Sequence, residues 1–243
     1  MSGHSHWKKI KHQKGVADLE RGKTFSKTIK LITVAARGGS NPEENPRLKV
    51  AIAKAKEVNM PTVNVERAIK RGAGETGEVV LEEMVFEAYG PGNIAIIIEG
   101  ITDNSNRSVA EVKQILGKNN GKLAAEGSVR WLFERKGEIS LSLEAQPENL
   151  QNKEALELLA IDLGAEDISW DENLLQIYTN ADNIGKIKSE LEAKGIEIES
   201  SGLGWRAKDE ISVSEKDVQL AERLFAALDE SDDVQEIYSN LKS

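Results

Sequence analysis

Phe25, Ile29, Ile32 and Ala36 recur at spacings of three and four, the period of an amphipathic helix, and Gly38-Gly39 supplies its stop. A second helix is predicted from Asn45-Pro46, where a capping side chain precedes a proline at the first helical position, with Leu48, Ile52 and Ala55 as its buried stripe. After the break at Asn59-Met60-Pro61-Thr62, a third helix carries Val65, Ala68 and Ile69 and ends at Gly72. Three short amphipathic helices in succession imply a bundle, here assigned to residues 1–77.

Past Gly77 the period becomes strand-like. Residues 84–89 and the apolar run 94–98 flank a Gly-Pro-Gly-Asn turn, which reads as a hairpin entering a sheet. A helix follows, with Val109, Val112 and Leu116 on one face, and then a strand around Val129 to Phe133. From about Glu138 to Arg206 the order is strand, helix, strand, strand, helix, strand, the ferredoxin-like βαββαβ sequence, its last strand placed at Ile196 and Ile198. The tail supplies a strand near Ile211 to Val213, a helix with Ala221, Leu224 and Leu228, and a last strand around Val234 to Tyr238. Alone, those three elements are too few to bury a core. Joined to residues 94–134 they complete a second βαββαβ unit, which requires the strands near 131 and 212 to share a sheet. The expectation is therefore a multidomain α and α+β chain: an N-terminal three-helix bundle plus two ferredoxin-like α+β domains, one inserted in the other. The divisions fall at residues 1–77, 78–135 with 207–243, and 136–206.

The 243-residue length suits two or three compact units. No apolar run approaches the roughly 20 residues of a membrane span. The first residues, MSGHSHWKKIKHQKG, lack the apolar core of a secretory signal, so no cleaved leader is expected. Zero cysteines exclude a disulfide framework and a thiol nucleophile and suit a reducing cytoplasm.

Charge changes the picture most. Residues 1–72 hold 16 Lys/Arg against 6 Asp/Glu, whereas the remaining 171 hold 16 against 35. A basic segment on a chain of net charge −9 needs a local cause, and a polyanion such as nucleic acid is the leading one. Candidate contacts are Trp7, Lys8, Lys9, Lys11, His12 and Lys14 in the extreme N-terminus. Arg21, Lys23, Lys27, Lys30 and Arg37 join them from the first helix and its end, and Arg47, Lys49 and Lys56 from the second. Trp7 among cations can stack on a base while its neighbours neutralise phosphates, although it serves equally as a core anchor. Lys27 and Lys30 are assigned to a solvent face, so reversing both to Glu is expected to lower affinity with little change in stability. Helices at 46–58 and 63–71 with a short break fit a helix-turn-helix as well as any small bundle.

Other motifs favour bland readings. Gly72-Ala-Gly74-Glu-Thr-Gly77 has the spacing of a dinucleotide loop, but it follows a helix and precedes a strand, the reverse of what that site needs. Tyr89-Gly-Pro-Gly-Asn93 lacks the Lys-Ser/Thr ending of a phosphate loop. His4, His6 and His12 have no acidic co-ligand nearby, and neither a metal nor another cofactor is expected. Glu82-Glu83 and Asp232-Asp233 fall in charge-rich stretches and read as solvated surface. Nothing pairs a nucleophile with a base, and no enzymatic activity is expected.

Gly3-His-Ser-His-Trp7, Thr33-Val-Ala-Ala-Arg-Gly-Gly39, Asn45-Pro-Arg-Leu48, Asn59-Met-Pro61 and Glu66-Arg-Ala-Ile69 together resemble the N-terminal signature of the YebC/PmpR family. Downstream, Tyr89-Gly-Pro-Gly92, Thr102-Asp-Asn104 with Asn106-Arg107, Gly127-Ser-Val129, Phe133-Glu-Arg-Lys-Gly137 and Asp233-Val-Gln235 follow in that family's order. Asn93 departs from it, standing where a glycine is expected. The resemblance implies a helical N-terminal bundle and two α+β units, without cofactor or catalysis. Bacterial members are described as probable DNA-binding transcriptional regulators, mitochondrial relatives as translational activators, and some bacterial members as ribosome-associated. The implied partner is nucleic acid, either DNA or the ribosome with its RNA. A protein partner for the acidic domains stays open, and neither a membrane nor a small-molecule substrate is expected.

Overall fold

The computed structural model describes residues 19–77 and 80–242. Its described residues divide into two units: residues 19–130 with 212–239, and residues 131–211 with 240–242.

The first unit opens with α1 (Leu19–Ala36), α2 (Pro46–Glu57) and α3 (Thr62–Gly72). Asn45 caps α2 by accepting from the Leu48 N–H at 3.0 Å, while its amide donates to the carbonyls of Ala35 and Gly39, both at 2.8 Å. One side chain thus starts α2 and fixes the turn leaving α1. Ile32, Ala35 and Ala36 of α1 meet Leu48, Ala51 and Ala55 of α2, with Met60 and Ala68 completing the core. α3 approaches α1 so closely at Gly72 that a β-carbon there would collide with the Thr33 carbonyl and the Ala36 side chain. That glycine is a packing requirement as well as a stop.

The same unit holds a sheet of order β3-β1-β2-β8, made of β1 (Glu82–Tyr89), β2 (Ala95–Thr102), β3 (Lys122–Leu123) and β8 (Val234–Ser239). The expected hairpin is present, with Tyr89 opposite Ala95 and Glu82 opposite Thr102. Its turn holds Gly92 at φ 66° and Asn93 at φ 60°, so Asn93 occupies the left-handed region that asparagine tolerates best after glycine. Two helices accompany the sheet: α4 (Ser105–Lys118), capped by Asn104, and α7 (Glu215–Asp229), capped by Ser214. Leu116 of α4 and Leu224, Phe225 and Leu228 of α7 are fully buried, as are Ile96, Ile97 and Ile98 of β2.

The second unit is βαββαβ: β4 (Phe133–Ser142), α5 (Lys153–Asp162), β5 (Asp167–Asp171), β6 (Leu174–Thr179), α6 (Ile184–Ala193) and β7 (Ser200–Ala207), in sheet order β5-β6-β4-β7 with every pair antiparallel. Its core joins Ile139, Leu141, Leu175 and Ile177 of the sheet to Leu156, Ala160, Ile187 and Leu191 of the helices.

Three strand expectations are corrected. Residues 130–132 form a 3-10 turn, and from Phe133 the chain already belongs to β4, so 131 and 212 do not share a sheet. The Val129 region is diverted because Glu87 captures its backbone N–H groups, as described below. The strand near 212 is reduced to one bridge, Ile211 to Leu241. The first sheet is completed by other strands: β3 fills the edge beside β1, and α7 and β8 return to it after β7. Residues 196–198 are not a strand either. Both backbone groups of Glu197 pair with the Gln146 side chain, whose amide donates to the Glu197 carbonyl and accepts from its N–H, each at 2.8 Å, and β7 begins only at Ser200.

Candidate nucleic-acid interface

Trp7, Lys8, Lys9, Lys11, His12 and Lys14 lie outside the described residues, as does the side chain of Arg21. The other proposed cations separate into two groups.

Lys23, Lys27, Lys30 and Val34 form one stripe of α1, at spacings of four, three and four. This stripe faces the end of α7, and the solvent-face assignment of Lys27 and Lys30 is wrong. Their side chains are only 13% and 17% exposed. Lys27 donates to the Asp229 carbonyl and its carboxylate, both at 2.9 Å. Lys30 donates to the Asp232 carbonyl at 2.9 Å and to Asp233 Oδ1 at 2.6 Å. Lys23 pairs with Glu230. α7 has no basic residue in its own last turn, so lysines of α1 complement the negative end of its dipole and its terminal carbonyls. Val34 packs with Leu81 and Ile101 on the same side. Lysine recurrence along a helix cannot by itself distinguish a phosphate-binding face from one that meets an acidic turn.

The second helix divides its cations by flank. Arg47 pairs with Glu83, and Lys54 with Glu236 at 3.0 Å, an attraction that holds the Lys54 pKa above its ordinary value. Arg37, exposed just past α1, donates to the Leu81 carbonyl at 3.0 Å. Lys49 and Lys56 project from the opposite flank and are exposed, Lys49 reaching Glu43 only at 3.4 Å. On α3, Val63, Arg67 and Lys70 share an exposed stripe at spacings of four and three. Arg67 and Lys70 are not among the candidate contacts named from the sequence.

Two carboxylates missed in the sequence organise this unit. Asp233, read as solvated, is 4% exposed. Besides Lys30, it accepts from Ser108 at 2.6 Å, Arg107 at 2.9 Å and Thr102 at 3.1 Å. Burial opposes its ionisation, but hydrogen bonds from Lys30, Ser108 and Arg107 outweigh that and hold its pKa well below the carboxylate range. Glu87 is also buried and accepts from the backbone N–H groups of Gly127, Val129 and Arg130 at 2.7, 2.6 and 2.8 Å. Burial pushes its pKa up, yet those three donors and the Arg130 charge bring it below the ordinary value. Gly127, at φ 83°, shapes this cradle. An anion-binding nest is therefore present but satisfied from within.

The Tyr89–Asn93 turn lines a cleft of about 420 Å³ with Asn120, Lys122, Lys216 and Asp217. Lys122 sits 5.5 Å from the Tyr89 ring centroid. The Asp217 carboxylate in the same lining makes it a mixed-charge surface rather than a uniform phosphate cradle.

A family model described as the TACO1/YebC protein N-terminal domain matches residues 5–75, and one described as the TACO1/YebC second and third domain matches residues 81–241. The chain belongs to the TACO1/YebC family. Relatives called "probable transcriptional regulatory protein" include one from Halothermothrix orenii, 45% identical over 99% of this chain and 94% of its own length, and one from Pseudothermotoga lettingae, 44% identical over 100% and 94%. The crystal structure of a conserved hypothetical protein from Aquifex aeolicus superposes with a TM-score of 0.89 at 43% identity, covering 98% of this chain and 97% of that one. The YebC signature segments acquire physical roles here. Thr102, Arg107 and Asp233 meet in one network, and Gly127-Ser-Val129 forms the cradle for Glu87. Among the described residues, no helix is long and apolar enough to cross a membrane.

Proposed function

We propose that this chain is a cytoplasmic, nucleic-acid-binding regulator of gene expression, with duplex DNA as its target and transcription as the process. The names carried by its relatives support the regulatory part of this reading. Support for phosphate binding comes from exposed cations outside the buried pairs: Lys56 on α2, Arg67 and Lys70 on α3, and Lys49, whose contact with Glu43 is long and solvent-exposed. The sequence adds Trp7, Lys8, Lys9, Lys11, His12 and Lys14. Lys23, Lys27 and Lys30 are removed from the binding surface, because their charge is spent on the α7 turn. Binding without catalysis is the role these residues suit.

The test is a competition at physiological salt in which the full chain is offered labelled duplex DNA and intact ribosomes. Retention on DNA is expected, with log affinity falling against log salt by about 0.9 for each phosphate neutralised. The quadruple reversal of Lys49, Lys56, Arg67 and Lys70 to Glu should abolish retention while unfolding as the parent does. Preference for ribosomes would replace transcription with translation as the process. A salt-insensitive complex would defeat phosphate docking altogether.

A further inference from the structure

The inserted unit carries a surface that its core does not use. On the helix-covered side of its sheet, α6 begins at Ile184 directly over Gly137, where a β-carbon would meet both Ile184 and Thr179. Past that point β4 and β7 continue together as a two-stranded ribbon, with Leu203 opposite Gly137 and Trp205 opposite Arg135. Residues paired in register share a face. The Arg135 guanidinium lies 5.1 Å from the Trp205 ring centroid, and Leu203 is 46% exposed. Trp131, two residues before β4, is 65% exposed. An exposed leucine alone is unremarkable, but a tryptophan, an arginine and a leucine on one face of a ribbon, with a second tryptophan exposed in the turn that leads into it, have the composition of interface anchors.

We propose that Trp131, Arg135, Leu203 and Trp205 form a docking surface for a protein partner that offers an apolar pocket with a basic rim. Charge selects protein over nucleic acid. Residues 131–211 hold 8 Lys/Arg against 18 Asp/Glu, a field that repels phosphate and attracts a cationic surface. The cations nearest the ribbon are already engaged, Arg206 with Asp167 and Lys136 with Glu134 and Glu166. Arg135 sits over the Trp205 ring, so the pair meets a partner with less side-chain freedom left to lose.

The test places a photo-crosslinking amino acid at Leu203 of the full chain in living cells. Adducts are sorted by nuclease resistance, and the captured protein is purified for titration against the full chain. The expected adduct is nuclease-resistant and contains a protein of net positive charge whose binding weakens with salt. Trp131→Ser and Trp205→Ala should each lower that affinity roughly 10- to 30-fold. Trp131 is largely exposed, so its variant keeps the fold and separates lost docking from lost structure. An adduct dissolved by nuclease, a second copy of this chain, a neutral or acidic protein, unchanged affinity in Trp131→Ser, or no adduct would each overturn the proposal.

Discussion

Asp233→Asn removes one charge and almost no volume from the network that joins α1 to the first sheet. The Lys30 hydrogen bond, at 2.6 Å between two largely buried side chains, is of the charge-assisted kind that contributes about 1.5–3 kcal/mol. Arg107 is half exposed, and solvent screens its share. The amide still offers an acceptor to Ser108 or Thr102, and the expected cost is about 2–4 kcal/mol near neutrality. The pH dependence has a definite sign. Because the folded carboxyl titrates well below its unfolded value, its stabilisation is complete above about pH 4 and is lost as pH falls below that. Urea denaturation of the full chain and the variant, followed by helical circular dichroism, should show a gap near neutrality that closes on acidification. A gap under about 0.5 kcal/mol, or one of equal size at pH 3, would refute the account.

Reversal of Lys27 and Lys30 to Glu should destabilise by at least about 3 kcal/mol, since it sets like charges against Asp229 and Asp233, and thermal unfolding of the double variant measures this. Gly72→Ala forces a methyl group against the Thr33 carbonyl and should cost about 1–3 kcal/mol; an unchanged melting temperature would show that α3 can shift freely. Glu87→Gln turns an amide toward backbone donors and should cost about 1.5–3 kcal/mol, with hydrogen exchange quickening first at Gly127, Val129 and Arg130.

Where local chemistry decided structure, the sequence was legible. Asn45-Pro46 capped its helix as its side chain dictates, and the alternation through residues 84–98 gave the hairpin. Periodicity failed where a side chain stood in for backbone. Gln146 replaces a strand partner for Glu197, and Glu87 bends residues 127–130 out of the first sheet. Neither contact leaves a mark on spacing, because the partners are about 40 to 50 residues apart. The basic face of α1 was misread for a related reason. A lysine stripe records only that cations share a side of a helix, and the acidic turn that meets it lies some 200 residues downstream. Arg67 and Lys70 were visible in the sequence, yet only the removal of the internally paired cations brings them forward.

Closing the first sheet with β8 sets a timetable for the chain as it leaves the ribosome. Ile97 of β2 must wait for Tyr238, about 140 residues later, before its outer edge is paired, and the Asp229–Asp233 turn that receives the α1 lysines emerges just ahead of that strand. The second unit, encoded between them, has its βαββαβ elements in hand by residue 207 and can mature first. A chain broken within α7 would therefore carry the βαββαβ elements of the second unit but leave the outer edge of β2 open and the α1 lysines unmatched. Residues 234–239 thus act as a completeness check on the first sheet.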